Sequence, residues 1–189
     1  MSAERRDDIV RAALELLEEE GADALTMRGL ADRLGVKAPS LYKHLAGKDD
    51  LEAALIAVGL EQVASVLGDA ARGAPDPLAA IAAAYRGFAH AHPHLYRLLT
   101  ERPLPRDRLP AGLEARAAAP LVEAAGSPDR ARAAWAFAHG MVHLELSERF
   151  PPDADLDAAW RDGIAALGAT QSPTTTPART VVRSWRGPD

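Results

Sequence analysis

Five of the six histidines in this 189-residue chain stand at spacings that could bind a metal ion. His90, His92 and His94 alternate along the chain, while His139 and His143 are four residues apart and would share one face of a helix. The second pair lacks the glutamate that acts as the base in zinc hydrolases, and the chain contains no cysteine. A helical metal-binding protein or an enzyme stays open as the alternative, but we expect no catalytic residue, no metal and no cofactor.

A basic segment over residues 26–48 is the stronger chemical signal. It carries five lysine and arginine side chains against one aspartate, although the whole chain has 22 basic and 27 acidic side chains and a net charge of −5. Residues 1–25 hold three basic and eight acidic side chains. A cationic patch confined to one part of an acidic protein is typical of a focused binding site for a polyanion such as DNA.

The same segment predicts two short helices joined by a tight turn. Thr26 is a favourable N-cap for the first helix, and Gly35 supplies the turn because glycine enters left-handed backbone space without a steric penalty. The second helix buries apolar residues on one side and turns a polar, basic side outward, as a helix in the major groove would. The outward residues are Lys37, Ala38, Ser40, Tyr42, Lys43 and His44.

Composition predicts an all-α fold. Hydrophobic residues make up 48% of the chain and aromatic residues only 5%, with many alanines, which favours packed helices over sheets. Proline, glycine and capping residues divide the rest of the chain into helices near 5–20, 49–72, 77–92, 95–99, 111–125, 128–150 and 155–167. No run of about 18 uncharged apolar residues occurs, so we expect no membrane span and a cytoplasmic protein.

The helix predicted over residues 128–150 is apolar on two faces, and Gly140 between them permits close backbone approach. One face carries Ala134, Phe137, Met141 and Leu144, and the other carries Trp135, His139, Val142 and Leu146. In a chain of this size, one face can pack on its own domain and the other on a second copy. A homodimer is favoured, and the alternative is the central helix of a monomeric bundle.

Residues 9–55 resemble the N-terminal domain of the TetR (tetracycline-repressor) family of bacterial transcriptional regulators. The resemblance runs through Ile9, Ala13, Leu17, Gly21, Leu25–Arg28, Ala31, Leu34–Val36, Leu41–Leu45 and Gly47–Leu51. Leu45 departs from the family, which usually has an aromatic residue there, and Gly47 departs where a serine or asparagine often caps the next helix. A second stretch, from Trp135 to Trp160, is similar to the regulatory domain of one TetR subgroup with a Trp-His-Gly signature.

The resemblance implies the domain organisation and the partners. Residues 1–48 would form a three-helix helix-turn-helix DNA-binding domain, residues 49–169 a helical ligand-binding and dimerisation domain, and residues 170–189 a disordered tail. The protein would be a homodimer through its last two helices and would bind double-stranded operator DNA. We expect a repressor that a small, largely apolar effector releases from the operator.

The resemblance also assigns candidate site residues. Phosphate contacts are expected from Thr26, Tyr42, His44 and Lys48. Base edges would meet Lys37, Ala38, Pro39 and Ser40, while Arg28 could reach either, and Lys43 lies on the same outward surface. The ligand pocket would lie among residues 49–146. Its wall candidates are residue types that fill cores by default, so the core is the favoured alternative for each of them: Tyr85, Phe88, His92, Tyr96, Trp135, Phe137, His139 and Met141.

Overall fold

The structure, a computed structural model, describes residues 2–168, with side chains from residue 4 onward. The predicted tail therefore lies outside the described residues. Within them the fold is all-α, as predicted. The helices are α1 (Ser2–Glu20), α2 (Met27–Arg33), α3 (Ala38–Leu41), α4 (Lys48–Ala71), α5 (Pro77–Ala91), α6 (Pro93–Thr100), α7 (Leu113–Ala125), α8 (Pro128–Leu146) and α9 (Leu156–Gly168).

The helix-turn-helix forms as predicted. The Thr26 hydroxyl accepts a hydrogen bond from the Gly29 amide at 3.0 Å and caps α2. Gly35 has a φ of 64°, which is the left-handed geometry that the turn requires. α3 is a single turn with Pro39 near its start, and a helical turn from Leu41 to Leu45 extends it, since the Leu45 amide donates to the Leu41 carbonyl. The recognition element is therefore short.

Several helix boundaries follow local signals in the sequence. The carboxylates of Asp76 and Asp155 cap α5 and α9 by accepting from Ala79 and Ala158. The α8 boundary differs from the predicted one, because this helix ends at Leu146 instead of continuing to residue 150. Glu148, two residues after the end of α8, has left-handed backbone with a φ of 52°. A proline-containing loop then leads to α9.

A first apolar core joins the helix-turn-helix to the start of the larger helical body. It contains residues of α1, α2, α3 and the first half of α4, together with Phe88 of α5 and two leucines of α6, Leu95 and Leu98. Leu51 and Leu55 of α4 are fully buried in it. The head therefore shares its core with the helices that follow.

A second core holds the body together. It is built around the inner faces of α5, α8 and α9 and includes Leu67 of α4. The buried face of α8 is a stripe of small residues, Ala131, Ala134 and Ala138, followed by Val142. The two faces predicted for this helix are therefore only partly right, since Ala134 of one face and Val142 of the other lie on the same buried stripe. Trp135 and Leu144, by contrast, are 49% and 38% exposed. The alanines let α8 pack closely on its neighbours, and the bulky side chains flank that contact.

α4 is the longest described helix and packs against α1, α5, α6 and α7. Among residues 2–168, it is the one helix long and apolar enough by composition to cross a membrane. Because it supplies side chains to both apolar cores, its composition is that of a central helix in a helical bundle.

Gly163 of α9 provides a test of the packing between α8 and α9. A Cβ atom at Gly163 would overlap the ring of Phe137, which lies edge-on against Trp160 with 5.7 Å between the ring centroids. Gly163→Ala should therefore destabilise the fold by about 1–3 kcal/mol in urea denaturation, because the ring has to leave its place. Gly87→Ala on α5 is the matched control, since its Cβ would meet open space and should stabilise the helix by up to about 1 kcal/mol. Equal stabilities of the two variants would contradict this packing.

Candidate functional site

The polar residues of the helix-turn-helix remain accessible in the folded chain. The side chain of Arg28 is 91% exposed. Tyr42 is 55% exposed, which is unusual for a large aromatic residue. The other candidate contacts that are exposed are Thr26, Lys37, Pro39, Ser40, Lys43 and Lys48, while Ala38 is half-buried. This surface carries three lysines and offers hydroxyl groups beside them.

His44 differs from its predicted outward position. It is half-buried, and its Nδ1 atom is buried without a hydrogen-bond partner among the described residues. The reason is its place in the turn after α3, where its amide donates to the Leu41 carbonyl and one edge of the ring faces inward. Only the remaining edge of the ring is available to a partner.

Arg33 belongs to the basic segment of residues 26–48, but its side chain faces α1 and not the outward surface. Its guanidinium lies 2.7 Å from a Glu19 carboxylate oxygen and 3.2 Å from one of Glu15. The hydrogen bond from Arg33 lowers the pKa of Glu19, and the two glutamates raise the pKa of Arg33. The basic surface is therefore smaller by one charge than the sequence indicates, because acidic α1 pairs with α2.

The start of α4 is fixed by an aspartate that the sequence analysis did not single out. One Asp50 carboxylate oxygen accepts from the Ala46 amide at 3.0 Å, and the other pairs with Arg6 of α1 at 3.0 Å. Asp50 is the third residue of α4, the position from which an acidic side chain often reaches back to the start of its helix, so the sequence did contain this signal. Asp50 thereby fixes the start of α4, of which Lys48 is the first residue.

A partly open cavity of about 580 Å³ lies between α4, α5, α6, α7 and α8. Five of the eight predicted wall residues line it: Tyr85, Phe88, Tyr96, Trp135 and His139. Much of the remaining wall is aliphatic and comes from α4 and α7, which the sequence analysis missed. A helical apolar pattern could have found these side chains, but it does not separate cavity lining from core.

The other three predicted wall residues lie elsewhere. The His92 ring lies tilted against the Phe88 ring, 3.8 Å from Glu18, because the chain breaks between α5 and α6 at this residue. Phe137 points towards α9, and Met141 is half-buried against the second core. Both lie on the side of α8 that faces away from the cavity.

Two tyrosine hydroxyls mark the polar part of the cavity. The Tyr96 hydroxyl and His139 Nδ1 are 2.6 Å apart and share a hydrogen bond. Burial raises the pKa of Tyr96, and burial next to His143 lowers the pKa of His139. The Tyr85 hydroxyl is buried and makes no hydrogen bond within the described part of the chain, although Tyr96 and Trp135 lie close to it.

The histidines do not gather into one site. His90 pairs with Glu145 at 2.7 Å, His92 faces Glu18, and His94 lies against Gly21. The rings of His139 and His143 are 6.3 Å apart between centroids. Within residues 2–168 there is no group of three or more histidine, cysteine or acidic side chains that could hold a metal ion.

Two family models match this chain, one in each half. Residues 9–55 match the family model for bacterial regulatory proteins of the tetR family, and residues 78–167 match that of the tetracyclin repressor-like C-terminal domain. An HTH-type transcriptional regulator of Mycobacterium tuberculosis is 35% identical over 182 residues, which cover 90% of this chain and 83% of that relative. The chain belongs to the TetR family of transcriptional regulators. It is a DNA-binding regulator with a helix-turn-helix domain.

Solved structures agree with this assignment. The crystal structure of a regulatory protein named SCO4313 aligns with a TM-score of 0.73 and 27% identity, covering 88% of this chain and 96% of that one. A TetR variant from Acinetobacter baumannii AYE, in complex with minocycline, aligns with a TM-score of 0.60 and 27% identity. That alignment covers 84% of this chain and 91% of the TetR variant. Members of the TetR family act as dimers on operator DNA and respond to small-molecule effectors.

Apart from the cavity, the helical body of this TetR-family protein contains a buried carboxylate on α8, that of Glu145. The Glu145 side chain is 4% exposed and accepts hydrogen bonds from Trp160 and Arg86, while its other partner is His90. Arg86 also pairs with Asp157 of α9 at 2.6 Å. Burial alone would raise the pKa of Glu145, but the hydrogen bonds from its three partners outweigh burial and lower it below the ordinary value of 4.5.

The free energy of unfolding should therefore depend on pH in the acidic range because of Glu145. Because its pKa is lower in the folded state than in the unfolded state, its contribution is complete above pH 4.5 and is lost as the pH falls through the folded pKa. We expect Glu145→Gln to lower stability at neutral pH by about 1–3 kcal/mol. It should also flatten the fall in Tm between about pH 5 and about pH 3. Exposed Glu148→Gln is the control, and a Glu145→Gln profile parallel to that of the wild type would contradict the assignment.

Proposed function

We propose that this TetR-family protein is a homodimeric repressor that acts in the cytoplasm. Residues 26–48 would bind operator DNA, and a small, largely apolar molecule in the cavity would release it. The observation that supports DNA binding most directly is the exposed basic start of α3 beside a capped helix-turn-helix. We divide the chain into a DNA-binding domain over residues 1–48 and a ligand-binding and dimerisation domain over residues 49–169.

The DNA contacts fall into two groups. Lys37, Ala38, Pro39 and Ser40 begin the recognition helix and would face base edges, with Arg28 able to reach a base or a phosphate. Thr26, Tyr42, His44 and Lys48 would contact phosphates. Lys48 is the first residue of α4. The backbone amides at this helix N-terminus would attract the same phosphate as the lysine does.

Two lysine variants test this division. Lys48→Ala should weaken binding to all DNA sequences alike and reduce the slope of log affinity against log salt by about one unit. Lys37→Ala should relax base preference at one or two base pairs, at a cost of about 1–3 kcal/mol. The measurement is fluorescence anisotropy over a salt series, with DNA fragments enriched from genomic DNA by the purified protein. Arg72→Ala removes an exposed cation at the far end of α4 and should change neither property. An unchanged salt slope for Lys48→Ala would show that the phosphate assignment is wrong.

The dimer surface that we propose lies on the outer sides of α8 and α9. α8 exposes Ala133, Ala136 and Leu144 there, and a Cβ at Gly140 would meet open space. α9 adds exposed alanines. Small residues on two adjacent helices let a second pair of helices approach closely, and a homodimer would place two recognition helices roughly 34–36 Å apart in successive major grooves.

Leu144→Asp should split this dimer, because an unpaired charge in an apolar interface is very costly. Val66→Asp on α4 is a matched control, since Val66 and Leu144 are both 38% exposed. Light scattering at micromolar concentration should show a dimer for the wild type and for Val66→Asp, and a monomer for Leu144→Asp. Ile164 is unsuitable for this test because it is 5% exposed in the second core, so a charge there would unfold the protomer. A wild-type monomer would contradict the proposed assembly.

Release by a ligand requires a path from the cavity to the head. α6 supplies Tyr96, Leu99 and Thr100 to the cavity wall, and its first turn is held by the head, where Glu18 of α1 accepts from the Leu95 amide at 3.1 Å. α4 gives a second path, because Glu52 lies 3.7 Å from Lys48 and accepts from Arg102 at the cavity rim. We propose that a ligand shifts α6 and α4 together and changes the spacing of the two heads.

A further inference from the structure

The chemistry of the cavity narrows the class of molecule that it would bind. This inference rests on the proposed effector role of the cavity. Four charged side chains line it, and each is paired with a carboxylate or a guanidinium. Arg102 donates to Glu52, Arg106 pairs with Glu114 at 2.9 Å, and Arg132 pairs with Asp129 at 2.6 Å. The cavity therefore presents no uncompensated charge to a ligand.

The polar groups around the two tyrosines are neutral. Tyr85 and Tyr96 keep their protons because burial raises both phenol pKa values, and His139 is uncharged because burial lowers its pKa. A ligand group with a full charge would find no counter-ion beside them. It would also lose its hydration on entry, so charged molecules are disfavoured.

Aromatic rings form a continuous wall at the same place. Trp135 stacks over His139 with 5.9 Å between ring centroids, and His139 lies 5.8 Å from Tyr96. Tyr85 meets Tyr96 edge to face at 5.9 Å. A planar, apolar ring system fits against such a wall, and the cavity volume of about 580 Å³ is within the range of small-molecule sites.

Tyr85 is the specific feature of this wall. Its exposed fraction is only 8%, and its hydroxyl makes no hydrogen bond of good geometry in the part of the chain that the structure describes, although Tyr96 and Trp135 lie beside it. A buried hydroxyl without a partner is unfavourable, so a ligand atom that accepts its hydrogen would bind with a specific gain. Tyr96 cannot take the same role freely, because its hydroxyl already shares a hydrogen bond with His139.

We propose that the cavity binds an uncharged, planar, mainly apolar molecule with a carbonyl oxygen that accepts a hydrogen bond from the Tyr85 hydroxyl. Tyr85 is then the residue that selects carbonyl compounds over hydrocarbons of the same shape. The aromatic wall formed by Trp135, His139 and Tyr96 supplies affinity without that selectivity.

Three naphthalene probes of similar shape test this proposal on the full-length protein. They are 2-acetylnaphthalene, which has the carbonyl, 2-ethylnaphthalene, which lacks it, and 2-naphthoate, which is charged. Titration calorimetry should show the ketone binding about five- to tenfold more tightly than the hydrocarbon, as expected for one added hydrogen bond. The carboxylate should bind most weakly. Tyr85→Phe should abolish the preference for the ketone while keeping the affinity for the hydrocarbon. Ser65→Ala, which removes an exposed hydroxyl on α4 outside the cavity, should leave all three affinities unchanged.

The outcomes separate this inference from the proposed function. Equal binding of ketone and hydrocarbon to the wild type, tightest binding of the carboxylate, or a preference that survives in Tyr85→Phe would each overturn the inference. Absence of binding by all three probes would overturn it too. If the ketone binds through Tyr85 but does not weaken DNA binding in an anisotropy assay, the ligand assignment stands and release by this ligand class fails. If the hydrocarbon releases DNA as well as the ketone does, the repressor model stands and the role of Tyr85 fails.

Discussion

The helix-turn-helix of this protein cannot bury its own apolar side chains, and the rest of the structure is arranged around that constraint. A segment of about 50 residues has too little interior for an independent core, so α1 to α3 complete theirs on α4 and α6. Leu51 and Leu55 of α4 and Leu95 of α6 are fully buried in this shared core. Any movement of α4 or α6 therefore has to move the surface on which the DNA-binding head is packed.

This arrangement explains how a cavity in the body could control the head. Close-packed interiors have few ways to deform, so a displacement of one helix is transmitted to its neighbours. The polar contacts between head and body, Glu18 to the Leu95 amide and Lys48 to Glu52, are partly exposed and individually weak. Their role is to set the orientation of α1 against α6 and of Lys48 against the cavity rim, while the apolar contacts carry the free energy.

The sequence predicts the parts of this structure that depend on neighbours along the chain. Caps at Thr26 and Asp76, the turn at Gly35 and the helix break at Pro93 are local effects of a side chain on its own backbone. The TetR family follows from such local motifs, since they recur at fixed spacings.

The remaining features depend on contacts between distant residues. Arg33 pairs with glutamates 14 and 18 positions away, so a count of charges over a segment overestimates the basic surface. Likewise, apolar periodicity on α8 does not reveal that Ala131, Ala134 and Ala138 face inward while Trp135 is half exposed. His92 and Phe137 lie outside the cavity lining for the same reason.

The central claim is that the cavity and the DNA surface are coupled, and linkage provides its most direct test. We would measure the affinity of 2-acetylnaphthalene for the free dimer and for the dimer saturated with an enriched operator fragment. If the ligand lowers DNA affinity tenfold, which corresponds to about 1.4 kcal/mol, bound DNA must lower ligand affinity by the same factor. The coupled structure described above predicts this reciprocal loss. Equal affinity of the ligand for free and DNA-bound protein would contradict it.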